Sequence, residues 1–147
     1  AEKPRYLMGV GTPADLLEGA RRGIDMFDCV LPTRVARNGT AYTSGGAINL
    51  RAGHQKEDFG PIEEGCECFA CTHHTRAYLR HLLKAGEILG LRMLSVHNSH
   101  FYHKVMRQIR RHLAEGTFDD YREEFIDRYK PTSKVLEGRA NSKLKAL

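Results

Sequence analysis

The sequence predicts an α/β protein, and three observations predict it: a strand–helix–strand pattern over the first thirty residues, a glycine-rich segment with hairpin turn signals, and helical periodicity beyond Thr75. Length and composition agree with one ordinary domain. The chain has 147 residues, 41% hydrophobic and 28% charged, which is enough apolar side chain for a core and argues against a disordered tail. No run approaches the roughly 20 apolar residues of a membrane span. The start AEKPRY lacks the basic region and apolar stretch of a signal peptide. A soluble, cytoplasmic protein with no membrane partner is therefore expected. The net charge of +5, with 8 His uncounted, and a pI of about 9.1 favour a polyanionic partner.

The first strand is expected at Tyr6-Leu7-Met8-Gly9-Val10, which is short and mostly apolar. A helix start follows, with Thr12 as N-cap, Pro13 at the first helical position and Asp15 as the acid three residues after the cap. Leu16, Leu17 and Ala20 make its buried face, and Gly23 stops it. A second strand is expected from Ile24 to Leu31, ended by Pro32. Parallel strands joined this way belong to larger sheets with both faces covered, and two strands cannot complete one.

From Thr33 to Ala52 the chain is polar and glycine-rich. Asn38-Gly39 and Ser44-Gly45-Gly46 are turn signals around Ala41-Tyr42-Thr43 and Ala47-Ile48-Asn49-Leu50, which predicts a small antiparallel hairpin. An acidic, irregular stretch from Glu57 to Glu67 leads into a cysteine cluster. Helices are expected through Ala77, Leu79, Leu82 and Leu83 to a break at Ala85-Gly86, and then from about Glu87 to Glu115 with a stripe of Leu94, Phe101, Val105, Ile109 and Leu113. Gly116 stops the long helix. A short amphipathic one follows with Phe118, Tyr121, Phe125 and Ile126, and a frayed basic tail is expected after Pro131.

Cys66, Cys68 and Cys71 fall within six residues, and Cys29 stands alone upstream. Two disulfides are the competing reading, but Cys66 to Cys68 is too short a loop for easy bridging geometry. Metal ligation is the better one. Zinc takes four ligands in a tetrahedron, and three thiolates leave one to find. His73 and His74 lie close by; His97, His100 and His103 lie on the long helix. A ligand from that helix would tie two elements together across a loop of about 25 residues and stabilise a core-poor region. His97, four residues before Phe101, is on the apolar stripe and is expected to face inward, as a ligand or as a hydrogen-bonded core histidine. Three thiolates plus an imidazole leave no open position, so the metal would hold structure.

Asp28 stands near the end of the second strand, where α/β folds gather catalytic groups. Asp25 and Asp28 are three apart, so at most one points into a site from a regular strand. Position alone leaves Asp28 between a nucleophile or general base and a salt-bridged or capping carboxylate. Arg34 and Arg37 follow at once, and arginine forks match phosphates and base edges. Arg107, Arg110 and Arg111 form a further cationic face on the long helix, for which a solvated face is the plainer reading.

Taken together, Tyr6-Leu7-Met8-Gly9-Val10-Gly11, the run Gly23-Ile24-Asp25-Met26-Phe27-Asp28-Cys29-Val30-Leu31-Pro32-Thr33-Arg34, the cysteine cluster and Val96-His97-Asn98 resemble the C-terminal part of a bacterial-type tRNA-guanine transglycosylase, the queuine tRNA-ribosyltransferase family. The resemblance runs in unbroken order from about Tyr6 to Tyr129. It implies the last two parallel strands of a TIM (β/α)8 barrel, with a zinc-binding subdomain and closing helices. Residues 1–50 would hold the barrel β-α-β unit and hairpin, 51–130 the zinc-binding subdomain and helices, and 131–147 the basic tail.

The resemblance further implies that Asp28 is the nucleophile attacking the anomeric carbon of the wobble guanosine in tRNAs with a GUN anticodon. Guanine leaves, a covalent ester forms, and a 7-deazaguanine precursor of queuosine displaces the aspartate. One structural zinc would be held by Cys66, Cys68, Cys71 and His97. The turn Gly9-Val10-Gly11-Thr12-Pro13-Ala14-Asp15 and the stretch Thr33-Arg34-Val35-Ala36-Arg37 match tRNA-contacting segments. Val35 departs from the family tendency, placing a hydrophobic side chain beside the local base contact. Family members pair through the region around the zinc subdomain, so a homodimer is expected. The family's second aspartate, a general acid/base, belongs to earlier strands and has no equivalent here, so these residues alone are expected not to catalyse exchange. The alternative is a non-catalytic, zinc-stabilised tRNA-binding or dimerisation module.

Overall fold

The computed structural model describes residues 3–130, so the tail expected after Pro131 lies outside the described residues. In chain order it forms β1 (Tyr6–Leu7), α1 (Pro13–Arg21), β2 (Met26–Phe27), α2 (Leu31–Arg37), β3 (Thr40–Thr43), β4 (Gly46–Asn49), a 3₁₀ turn (Gly53–Glu57), α3 (Phe69–His73), α4 (Arg76–Ala85), α5 (Ile88–Glu115) and α6 (Phe118–Arg128). β1 and β2 pair in parallel, Tyr6 opposite Met26 and Leu7 opposite Phe27. β3 and β4 form the antiparallel hairpin, Thr40 opposite Asn49 and Thr43 opposite Gly46. Among the described residues no helix is long and apolar enough to cross a membrane.

α1 begins as its residue types dictate. The Thr12 hydroxyl accepts from the Asp15 N–H at 3.3 Å, and the Asp15 carboxylate accepts from the Thr12 N–H at 2.8 Å, a reciprocal box that caps the helix. Leu16 and Leu17 are buried and Ala20 half-buried. Gly19 lets the helix lie directly on β2: a Cβ there would sit 2.6 Å from the Phe27 ring. Arg122 of α6 donates twice to the Glu18 carboxylate, at 3.1 and 3.0 Å, and so ties α1 to the C-terminal helix.

Both parallel strands are shorter than the apolar runs suggest. After Leu7 the chain turns through Gly9 at φ +73°, and after Phe27 it leaves the ladder toward α2. Of the strand expected from Ile24 to Leu31 only Met26 and Phe27 pair; Leu31 opens the helix Leu31–Arg37, and Asp28, Cys29 and Val30 form the irregular link between them. Pro32, read as a strand stop, stands in the first turn, where its fixed φ suits a helix and its missing N–H costs nothing. Pro32 and Ala36, four apart, are its buried residues.

α5, 28 residues and about 42 Å long, is the spine. Gly86 and Gly116, both left-handed, separate it from α4 and α6. Its N-terminal half packs Met93 and Leu94 into one cluster with Leu50, Ile62, Leu79, Leu83 and the cysteines. Its C-terminal half packs Phe101, Val105 and Ile109 into another with Leu16, Leu17, Tyr42, Phe118 and Phe125. Each cluster draws side chains from before and after residue 50. Leu113, expected on the stripe, is 51% exposed. Each four-residue step turns the row by about 40°, and by Leu113 it has left the core. Ile126 of α6 likewise faces outward. At the hairpin turn Gly46 has φ +124°, and a Cβ would run into the Lys130 carbonyl, which bridges there in parallel.

Candidate functional site

Cys66, Cys68 and Cys71 come from the loop before α3 and from α3 itself, and His97 comes from α5. Their ligand atoms all lie within 4.8 Å of one another. His97 Nδ1 is 3.8, 3.5 and 3.4 Å from the sulfurs of Cys66, Cys68 and Cys71. A tetrahedral centre with metal–sulfur bonds of about 2.3 Å and metal–nitrogen bonds of about 2.0 Å has S···N edges of about 3.5 Å, so the four groups have the spacing of a ligand set. Cys66, Cys68 and His97 are buried and Cys71 is half-buried.

Hydrogen bonding orients each ligand. His97 Nε2 donates to the Tyr42 carbonyl at 2.7 Å, which fixes the tautomer and leaves the Nδ1 lone pair toward the sulfurs. A backbone N–H points at every sulfur: Cys68 at Cys66, Cys71 at Cys68, and Glu63 at Cys71. The Cys71 thiol, donating to Cys68, holds Cys68 down at about 3, against burial. Donation to Cys68, and then burial, pushes the Cys71 thiol up; burial pushes Cys66 up. Three sulfurs so close cannot ionise together without a cation among them, and a bound divalent metal supplies that charge. His73 is exposed and stacks on Phe69 with centroids 4.1 Å apart, and His74 is half-buried against Tyr78. Neither joins the cluster, nor do His100 and His103.

The next residue, Asn98, is fully buried and uses all of its amide. Oδ1 accepts from the Tyr42 N–H at 2.9 Å, and Nδ2 donates to the Pro32 and Thr40 carbonyls at 2.9 and 3.0 Å. His97 and Asn98 thus tie the thiol cluster to β3 and to the start of α2. Glu63 adds a further link, accepting from the Ser44 N–H at 2.6 Å. The sequence names His97; the roles of Asn98 and Glu63 depend on which backbone groups the hairpin brings near.

At the flank of this body stands Asp28. It is exposed, just past β2, and one oxygen, Oδ1, accepts from the Tyr6 hydroxyl at 2.5 Å and from the Gly9 N–H at 2.9 Å. The Tyr6 hydrogen bond, the Gly9 N–H and Asp28's own N–H hold its carboxyl below the usual carboxylate range, and the same bond raises Tyr6. Tyr6 carries no chemical signal as part of an apolar strand. The parallel register that sets it opposite Met26, two residues before Asp28, gives it one. Asp25 lies apart and accepts from the Arg5 N–H at 2.7 Å. Asp28, Cys29, Val10, Tyr102, His103 and Met106 border a cleft of about 500 Å³ between β2 and α5.

Of the first expected RNA segment, Gly9 is exposed, Val10, Thr12, Ala14 and Asp15 are half-buried, and Gly11 and Pro13 are buried. Thr12 and Asp15 bond each other, and the Gly11 carbonyl accepts from the Tyr102 hydroxyl at 3.0 Å. The second segment is α2, with Thr33, Arg34 and Arg37 exposed. Neither guanidinium has a partner among the described residues. Ala36 is fully buried, and Val35 packs toward the core cluster of Phe101 and Tyr42, so a hydrophobic residue there meets the protein interior. Arg107 and Arg110 are exposed on the solvent side of α5, and Arg111 lies 3.8 Å from Glu115.

The family model described as queuine tRNA-ribosyltransferase matches residues 1–131. Among curated relatives, the queuine tRNA-ribosyltransferase of Symbiobacterium thermophilum is 56% identical over 128 residues, covering 87% of this chain and 32% of its own length. Those of Bacillus subtilis and Moorella thermoacetica are 52% and 54% identical, covering 90% and 86% of this chain and 36% and 34% of their own. The chain therefore spans about a third of the length of these relatives, their C-terminal portion.

Proposed function

Because this chain belongs to the queuine tRNA-ribosyltransferase family, we propose that it carries the nucleophile and part of the tRNA surface of a tRNA-guanine transglycosylase. The enzyme exchanges the wobble guanine of tRNAs with a GUN anticodon for a 7-deazaguanine precursor of queuosine. One observation carries the reading: an exposed carboxylate, Asp28, is held by Tyr6 and Gly9 just past β2, with two exposed arginines, unpaired among the described residues, on the helix that follows. Asp28 attacks the anomeric carbon, guanine leaves, and the incoming base displaces the aspartate, giving two inversions at one carbon. Thr33, Arg34 and Arg37 offer the side chains that meet RNA, and exposed Gly9 allows close backbone approach.

The donor set of three thiolates and one imidazole suits one structural zinc, with Cys66, Cys68, Cys71 and His97 filling every position and leaving none for water. β1 and β2 are read as the last strands of a (β/α)8 barrel whose earlier strands supply the general acid/base and most of the base pocket. Residues 1–50 then complete the barrel and add the hairpin, 51–130 form the metal-bearing subdomain and helices, and 131–147 make a basic tail. The exposed Tyr6, Met8 and Met26 at the strand pair and the one-third span support this. By themselves the 147 residues do not exchange bases. An aromatic row beside the metal loop, in which exposed Phe69 stacks on His73 and meets half-buried His74, which in turn lies against exposed Tyr78, supports pairing into a homodimer. The working enzyme is read as cytoplasmic, in keeping with a tRNA substrate.

The test joins these residues to the preceding portion found in the Bacillus subtilis relative, incubates the polypeptide with GUN-anticodon tRNA, and resolves the products under denaturing conditions. An RNA adduct is expected, and Asp28→Asn should abolish it while leaving tRNA affinity nearly unchanged. Tight tRNA binding without an adduct in the native sequence would instead establish a non-catalytic module. Exchange of labelled guanine by the 147-residue chain alone would overturn its incompleteness.

A further inference from the structure

Two neighbouring donors reach Asp28, and both end on the same atom. The Tyr6 hydroxyl lies 2.5 Å and the Gly9 N–H 2.9 Å from Oδ1, and neither reaches Oδ2. Tyr6 sits on β1, one strand across, and is itself exposed, so its hydroxyl could equally be met by water. An exposed carboxylate needs no such partner for stability. The asymmetry therefore bears on what the two oxygens do.

The geometry points to Tyr6 as a positioning residue for Asp28: together with the Gly9 N–H it holds Oδ1, leaves Oδ2 to bond the ribose, and stabilises the carboxylate that departs when the ester breaks down. This rests on the proposed base exchange. When the ester forms, an Oδ2 pair makes the bond to the anomeric carbon, the bond from that carbon to guanine breaks with its pair leaving on guanine, and Oδ1 becomes the ester carbonyl. When the ester breaks down, the incoming 7-deazaguanine bonds the anomeric carbon and gives up its N–H proton to the general base of the exchange. The carbon–Oδ2 pair returns to the aspartate. Charge on Oδ1 falls in the first half and is restored in the second. A donor fixed on Oδ1 binds the restored carboxylate more strongly than the ester carbonyl, so it favours departure of the aspartate. The depressed pKa of Asp28 has the same cause: a carboxylate stabilised against protonation is also a better leaving group.

The adduct lifetime tests this with Tyr6→Phe in the complete polypeptide described above. The ester is formed on GUN-anticodon tRNA, excess 7-deazaguanine base is added, and decay is followed on denaturing gels. Tyr6→Phe is expected to lengthen the adduct half-life about tenfold, the worth of one hydrogen bond to a charged group. In the same variant, carbon NMR of the labelled Asp28 carboxyl is expected to show titration at higher pH than in the native sequence. A half-life equal to or shorter than native, or an unmoved titration, overturns the role of Tyr6 and leaves the exchange reading standing. Absence of any Asp28-dependent adduct in the native polypeptide overturns both.

Discussion

Along α5, Leu94, Phe101, Val105 and Ile109 are at most 3% exposed, whereas across the β1–β2 pair Tyr6, Met8 and Met26 are 54, 76 and 47% exposed. The first region closes on itself through two apolar clusters, the thiol cluster and the amide of Asn98. The second has a ladder of hydrogen bonds and a helix laid against it by Gly19, but nothing over its outer faces among the described residues. Parallel strands ordinarily sit in sheets covered on both sides. The comparison teaches that cover is unevenly divided: the body built around the thiol cluster holds α2 and the hairpin in place through Asn98, and the Asp28 carboxylate stands on the less covered edge, open to solvent.

The largest way to break this contrast is to deny the thiol cluster the metal its donor set suits. Chelation, or His97→Ala, is expected to destabilise the α5 body on the order of 10 kcal/mol, because metal binding and folding of such a site are one equilibrium. Thermal unfolding with and without chelator checks it. Amide exchange should show protection lost first at Tyr42, where the His97 and Asn98 bonds meet. Metal affinity should also fall as pH falls, since protons compete for the thiolates and for Nδ1.

Next in size is Asn98→Ala, which leaves the Tyr42 N–H and the Pro32 and Thr40 carbonyls without their partner. The expected loss is about 4 kcal/mol, measured by denaturant unfolding, with Gly9 amide exchange nearly unchanged because the strand pair does not use this residue. Gly19→Ala attacks the other side. It should cost about 2 kcal/mol by forcing the Phe27 ring away, and chelator competition should find metal affinity unaltered.

The smallest effect is an acid transition at the edge. The folded pKa of Asp28 lies below its unfolded value, so its contribution is complete above the unfolded value of about 3.9. It is lost as pH falls through the lower folded value. Protection of the Gly9 amide should fade over that acid range, and in Asp28→Asn it should show no such step.

Local signals were the legible ones. Thr12, Pro13 and Asp15 specify the start of α1, Gly86 and Gly116 end helices, and the turn residues around Ser44 bring β3 back as β4, because each acts within a few bonds of itself. The α2 segment was less legible, since an apolar run ending in proline reads as a strand stop or as a helix start until Ala36 finds its core. Leu113 falls off the buried stripe because a four-residue spacing drifts from the helical period. The metal loop was visible as chemistry, but residue types alone left five histidines for the fourth position.

What the sequence by itself determined, then, is the start of α1, the hairpin, the ends of the longer helices, the three thiols and the residue types around Asp28, all of which follow from short-range stereochemistry and spacing. Only tertiary structure decided that His97 joins the thiols and that Asn98 clamps Tyr42, Pro32 and Thr40. It alone also set the Tyr6 hydroxyl on Oδ1 of Asp28. These contacts join residues 22 to 66 positions apart, and no local preference encodes them. They exist because parallel pairing and burial of the α5 stripe bring distant backbone and side-chain groups to the same place, where unpaired polar atoms would be costly.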